Sequence, residues 1–187
     1  MGNLLSAKAI TFFDVETTHL DPTQSTILSI SIITDWEDGT TKIKPNALEL
    51  KYASKEALKV CKYSDEEWKD APMFSAVCET IIDKLKYGPI VAHNIQFDVS
   101  HIEAVLKRYG YKKGDRTNLK NKTFRLGYPQ IDTCGLAYLF LPTERQNLDT
   151  LREHFGLSTE NAHESEPDTE HCREIFYNIL SSVAPKD

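Results

Sequence analysis

An apolar run, Ala9-Ile10-Thr11-Phe12-Phe13, ends in two acids spaced two apart, Asp14 and Glu16. The run has the length and the aromatic, β-branched character of a buried strand. Side chains two apart on a strand share a face, so both carboxylates project together from its end. Like charges at that separation resist ionising together. A fold keeps such a pair only where something compensates, and a divalent cation bound by oxygens is the usual partner. A solvated strand end carrying D-x-E is the plainer reading, and the pair alone does not choose between them.

The chain beyond supplies the context. Asp21-Pro22-Thr23 is a turn signal, and residues 27–33 read as a second strand. Asp38-Gly39 marks a hairpin turn into a third strand, residues 40–43, which stops before Pro45. Ser54 caps a short helix reaching Cys61, and Ser64 caps a helical turn through Trp68. Phe74, Val77, Cys78, Ile81, Ile82 and Leu85 fall at helical spacing; Gly88-Pro89 ends that helix, and Ile90-Val91-Ala92 is a short buried strand. Strands alternating with helices predict an α/β fold with a mixed sheet.

Two later helices share an anomaly. In residues 96–109, Asp98 stands in line with Ile102, Val105, Leu106 and Tyr109, at offsets of four, seven, eight and eleven. In residues 167–180, Asp168 stands at the same offsets from Cys172, Ile175, Phe176 and Ile179. An acid in a first turn suits the helix macrodipole. The macrodipole does not explain why both acids lie on the buried face, where an unpaired charge is costly.

Residues 107–125, with eight basic residues against the single acid Asp115, read as an exposed loop. Asp132 reads as the cap of a helix over residues 134–141, and Asn147 as the cap of one over residues 148–155 closed by Gly156.

Length and composition bound the function classes. A chain of 187 residues, 40% hydrophobic and 27% charged, is expected to form a single domain over residues 1–187. A net charge of −6 argues against nucleic-acid binding over the whole surface, though not at a small site where metal ions offset carboxylates. Cys61, Cys78, Cys134 and Cys172 are dispersed without a C-x-x-C, as expected of reduced thiols in a cytoplasmic protein. No apolar run reaches membrane-spanning length, and no signal peptide is visible. Met1-Gly2-Asn3-Leu4-Leu5-Ser6 matches the N-myristoylation pattern at Gly2, a pattern short enough to arise by chance.

Three ordered segments carry a resemblance: Phe13-Asp14-Val15-Glu16-Thr17-Thr18, then Ala92-His93-Asn94-Ile95-Gln96-Phe97-Asp98, then His163 with Asp168 five residues on. Together they resemble the motifs of the DEDDh 3′–5′ exonucleases, the family of the proofreading subunit of bacterial DNA polymerase III, RNase T and oligoribonuclease. The resemblance covers about residues 8–180. It implies a ribonuclease-H-like fold, a mixed five-stranded sheet with helices packed on it. It further implies two magnesium ions, with manganese as a substitute. Asp14, Glu16 and Asp168 would hold one ion, Asp14 would help hold the second, and Asp98 would act directly or through water. His163 would be the general base, a role that suits an imidazole titrating near neutrality. Thr17 and Leu20 match positions that contact the terminal nucleotide, with Leu20 as a wedge and Phe97 lining the pocket; Asn94 is a further candidate.

The function so implied is release of nucleoside 5′-monophosphates from single-stranded 3′ ends, of DNA in the first instance. A DNA polymerase is the implied protein partner. An exoribonuclease or oligoribonuclease is the alternative, because the motifs do not read the 2′ position. An inactive exonuclease fold serving as a binding module in a polymerase complex is the other. Two departures stand out: His19 occupies a position where the family usually has glycine, and Ser165 and Pro167 replace its usual residues between His163 and Asp168.

Overall fold

The structure is a computed structural model that describes residues 10–34, 38–159 and 163–184. Gly2 and Ala9 lie outside the described residues. Strand β1 (Thr11–Thr17) is followed by β2 (Ile27–Ile33) and β3 (Asp38–Lys42), then by helices α1 (Ala47–Lys51), α2 (Lys55–Val60), α3 (Asp65–Trp68) and α4 (Phe74–Leu85). Strand β4 (Ile90–Ala92) and helix α5 (Ile95–Arg108) come next, then β5 (Lys112–Lys113), a 3-10 turn at Leu119–Asn121, and β6 (Thr123–Phe124). Strand β7 (Gln130–Asp132), α6 (Thr133–Phe140), α7 (Leu148–Phe155) and α8 (Ser165–Val183) complete the described chain.

The main sheet is five-stranded, in the order β3-β2-β1-β4-β7. Pairs β1–β2 and β2–β3 are antiparallel, while β1–β4 and β4–β7 are parallel, so the sheet is mixed as expected.

Strand β1 runs further than its apolar run suggests. Asp14 pairs with Ser31 and Glu16 with Ser29, and the register shifts only between Glu16 and Thr17. The two acids therefore stand within the strand and not at its end, because pairing with β2 carries it past Phe13. Asp38 and Gly39 likewise belong to β3, opposite Ile33 and Ile32, and do not form the turn; residues 35–37, which join the strands, are outside the described ones.

Alternation along β1 divides the core. Phe13 and Val15 enter the cluster built with α4 and α5, through Ile82, Leu85, Ile102 and Leu106. Phe12 enters the cluster on the other face, with Cys172 and Phe176 of α8. The Phe12 and Phe176 rings meet edge to face, with centroids 5.5 Å apart. Asp14 and Glu16 share the face of Phe12 by the period of two, so they point toward the helix that carries Asp168.

Caps read from sequence are present. Oxygens of Ser54, Ser64, Asp132 and Asn147 accept the N–H of Ala57, Glu67, Cys134 and Thr150, and Gly156 closes α7 at φ 70°. Asp132 Oδ1 also accepts the N–H of Asn94 at 2.8 Å, so one carboxylate fixes the starts of both α6 and α5. Residues 107–125 are not a bare loop. Strands β5 and β6 pair in parallel, and Tyr111 and Phe124 are buried in the α4–α5 cluster, which composition dominated by lysine conceals.

Candidate active site

Asp14 and Glu16 from β1 and Asp168 from the first turn of α8 come together, with one ligand oxygen of each within 4.8 Å of the others. Three carboxylates and no sulfur or imidazole in the set is the donor chemistry of a hard divalent cation. Ser31, opposite Asp14 on β2, is 1% exposed, and its hydroxyl has no hydrogen-bond partner among the described residues. An unmet polar group beside converging acids fits a site that takes an ion with its water. The residues present therefore fit a divalent ion.

Asp98 is outside that trio. It is 2% exposed at the start of α5, and its Oδ1 accepts the backbone N–H of Val15 at 3.1 Å. Val15 sits between the two acids of β1, so Asp98 adjoins the trio through the strand backbone.

Electrostatics record the crowding. Burial, and then the charges of Asp98, Glu16 and Asp168, push the Asp14 carboxyl well above its ordinary range. Burial pushes Glu16 up to about 7, opposed by the thiol of Cys61, which donates to Glu16 Oε2 at 3.1 Å. Burial raises Asp98 well above its ordinary range, opposed chiefly by the Val15 N–H. Burial raises Asp168 as well, opposed by Arg152 and more weakly by His163. Each group thus resists ionisation unless a cation balances it.

His163 is exposed, at φ 64°, in the turn that leads into α8. The neighbouring Glu164 is bridged to Lys62 at 2.6 Å, which ties this turn to the end of α2. A cavity of about 350 Å³ opens between them, lined by Glu16, Cys61, Lys62, Trp68, His163 and Glu164 among others.

The candidate substrate contacts are distributed around the end of β1. Leu20 is 79% exposed on a braced loop. Thr17 Oγ1 donates to the carbonyl of His19 at 3.2 Å, and the His19 N–H donates to Ser25 Oγ at 3.2 Å. His19 has no positive φ, and its Nδ1 accepts the N–H of Asp21 at 2.9 Å, so histidine is accommodated where the family usually has glycine. Thr17 is buried, Phe97 is half-buried against the α4–α5 cluster, and Asn94 is exposed at φ 62°. His101 is fully buried, its ring nitrogens 2.8 and 3.0 Å from the carbonyls of Phe97 and His19, which links α5 to the Leu20 loop. Ser165 packs its hydroxyl 3.1 Å from that of Ser29, so its extra oxygen is absorbed on β2.

Two residues of this region escaped sequence reasoning. Cys61 reaches Glu16 from 45 positions away, and nothing local signals that contact. Arg152 pairs with Asp168, and a signal did exist: Leu148, Leu151, Arg152 and Phe155 lie at helical spacing, so Arg152 sits in a core stripe as Asp98 and Asp168 do.

Comparison with known proteins agrees with this architecture. The chain is 26% identical over 187 residues to the DNA polymerase III subunit epsilon of Treponema pallidum, covering 96% of this chain and 80% of that protein. It is 31% identical over 99 residues to the 3′-5′ exonuclease DinG of Staphylococcus aureus, covering 52% of this chain but only 10% of DinG. The structure is similar to Escherichia coli exonuclease I, solved in a zinc-bound complex with single-stranded DNA. The TM-score is 0.72 at 16% identity, covering 92% of this chain and 40% of that one. That likeness establishes a ribonuclease-H-like fold. The RNase T family model, described as an exonuclease, matches residues 11–176. The chain belongs to the RNase T exonuclease family.

Proposed function

We propose that the chain is a DEDDh-type 3′–5′ exonuclease that removes nucleoside 5′-monophosphates from single-stranded DNA ends, its catalytic machinery contained in one domain over residues 1–187. The observation that carries this reading is the convergence of Asp14, Glu16 and Asp168 within 4.8 Å, in a chain of this family. Asp14, Glu16 and Asp168 would hold one magnesium or manganese ion, and Asp14 would help to hold a second. When bound, such ions make the attacking water more acidic and offset charge on the leaving 3′ oxygen.

The chain's own residues do the rest. His163, exposed beside Asp168, accepts the proton of the attacking water as general base. Asp98 holds the β1 backbone between the two acids in place through the Val15 N–H. Leu20 meets the terminal base from the braced loop, Phe97 lines the pocket from α5, and Thr17 and Asn94 border it. DNA is preferred to RNA on the names of the relatives, among them the polymerase III epsilon subunit, which also supports a DNA polymerase as partner. Among the described residues no helix is long and apolar enough to cross a membrane. A cytoplasmic location is part of this reading.

The test is a set of 5′-labelled DNA and RNA strands, linear and circular, with Mg²⁺ or Mn²⁺. Stepwise shortening of linear DNA from its 3′ end with intact circles is expected. Rapid nicking of circles would overturn the exonucleolytic reading, and shortening of RNA alone would overturn the choice of DNA.

A further inference from the structure

Arg152 is 1% exposed, among the largest fully buried side chains of the protein. It stands in the apolar stripe of α7, whose Leu151 packs with Ala137 of α6 and with Ile175 and Ile179 of α8. A guanidinium taken out of water is tolerated only where its donors are met by well-placed acceptors. Here Nη1 donates to Asp149 Oδ1 at 2.7 Å, Nε donates to His171 Nδ1 at 3.0 Å, and Nη2 donates to Asp168 Oδ1.

The three partners differ in kind. Asp149, on the same helix, is 54% exposed and anchors the fork at the surface. His171 lies three residues after Asp168 on α8 and meets the fork from the side. Asp168 is the member of the acidic trio that comes from a helix rather than from β1. Three carboxylates ionised without an ion repel one another, and the one on a separate element is the freest to turn away. A rigid fork with fixed donors opposes that turn; a lysine, with one point of charge, cannot span the same three partners. With Arg152 on Asp168, one carboxylate oxygen of Asp168 still lies within 4.8 Å of those of Asp14 and Glu16.

We propose that Arg152 is a positioning residue, a buried clamp that holds Asp168 in its ligating orientation before an ion arrives. The proposal rests on Asp14, Glu16 and Asp168 forming an ion site, as above. Partners that orient a ligand from behind typically carry 10–100-fold in metal affinity.

The test is titration of the intact protein with Mn²⁺ by calorimetry, beside its melting temperature in chelator. Wild type is expected to bind Mn²⁺, with Kd raised roughly 10–100-fold in Arg152→Met and only partly restored in Arg152→Lys. Asp149→Ala, which loosens the clamp at the surface without emptying the core, should weaken Mn²⁺ binding several-fold with a smaller loss of melting temperature than Arg152→Met. A lower melting temperature with unchanged Kd in Arg152→Met would make Arg152 merely structural and overturn the proposal. Tighter binding in that variant would show competition with the ion and overturn it too. Should Arg152→Met not fold, unchanged Kd in both Asp149→Ala and His171→Ala overturns it. Absence of Mn²⁺ binding by the wild type would instead sink the ion site itself, and the clamp with it.

Discussion

The backbone N–H of Val15 donates to Asp98 Oδ1 at 3.1 Å, across 83 positions of sequence. Val15 lies between Asp14 and Glu16, so one buried carboxylate from α5 fixes the strand segment that aims two others. Under the proposed function, packing and catalysis share this side chain, and two substitutions separate them.

Asp98→Asn keeps an oxygen for the Val15 N–H and removes the charge. Its fold should survive, while nuclease activity falls roughly 10–100-fold. Asp98→Ala removes the acceptor as well and strands a buried N–H, at a cost of about 1–3 kcal/mol. Chemical denaturation and initial rates measure both. Equal stability of the two variants would show that the Val15 bond contributes nothing.

Burial moves Glu16 from its ordinary 4.5 up to about 7, and raises Asp14, Asp98 and Asp168 in the same direction. The unfolded chain releases these protons near pH 4 to 5. The folded, ion-free protein holds them longer, so it binds more protons across that window. Its stability from this site therefore falls as pH rises from about 4.5 through about 7. A divalent ion replaces the protons, so the stabilisation by Mn²⁺ should be small near pH 5 and grow above pH 7. Melting temperatures with and without Mn²⁺ at both pH values check this; an equal increment at each contradicts it.

His163 is exposed and at positive φ, which asparagine tolerates better than most residues. His163→Asn should fold, bind Mn²⁺ with wild-type affinity and lose roughly 10²–10⁴-fold in kcat. An unchanged kcat with a raised KM would make His163 a substrate contact.

Leu20 is 79% exposed, so Leu20→Ala should alter stability by no more than about 0.5 kcal/mol. A wedge against the terminal base predicts a several-fold rise in KM for single-stranded ends. Unaltered kinetics would leave Leu20 outside the substrate site.

Much of this was legible because it is local. Caps at Ser54, Asp132 and Asn147 satisfy helix ends within three residues, and an acid in a core stripe, as at Asp98 and Asp168, is visible from periodicity alone. The same anomaly at Arg152 carries less weight in a short helix, because arginine commonly lays its stem along apolar surface with its charge in water. Helix α1 was missed although Asn46 and Glu49 cap each other, Oδ1 to N at 3.0 Å and N to Oε2 at 2.8 Å. The length of β1 depends on β2, and the thiol of Cys61 on Glu16 depends on the fold of α2 over the strand; neither is written in its own neighbourhood.

Asp14, Glu16 and Asp168 are proposed to form one ion site that drives hydrolysis from the 3′ end. The most direct measurement of this is the Mn²⁺ dependence of shortening of a 5′-labelled DNA strand by wild type and Asp14→Asn. Wild type should shorten the strand stepwise as Mn²⁺ is added and stop in excess chelator, while folded Asp14→Asn stays inactive at every Mn²⁺ concentration. Full activity of wild type in excess chelator, or of Asp14→Asn with Mn²⁺, would contradict the account.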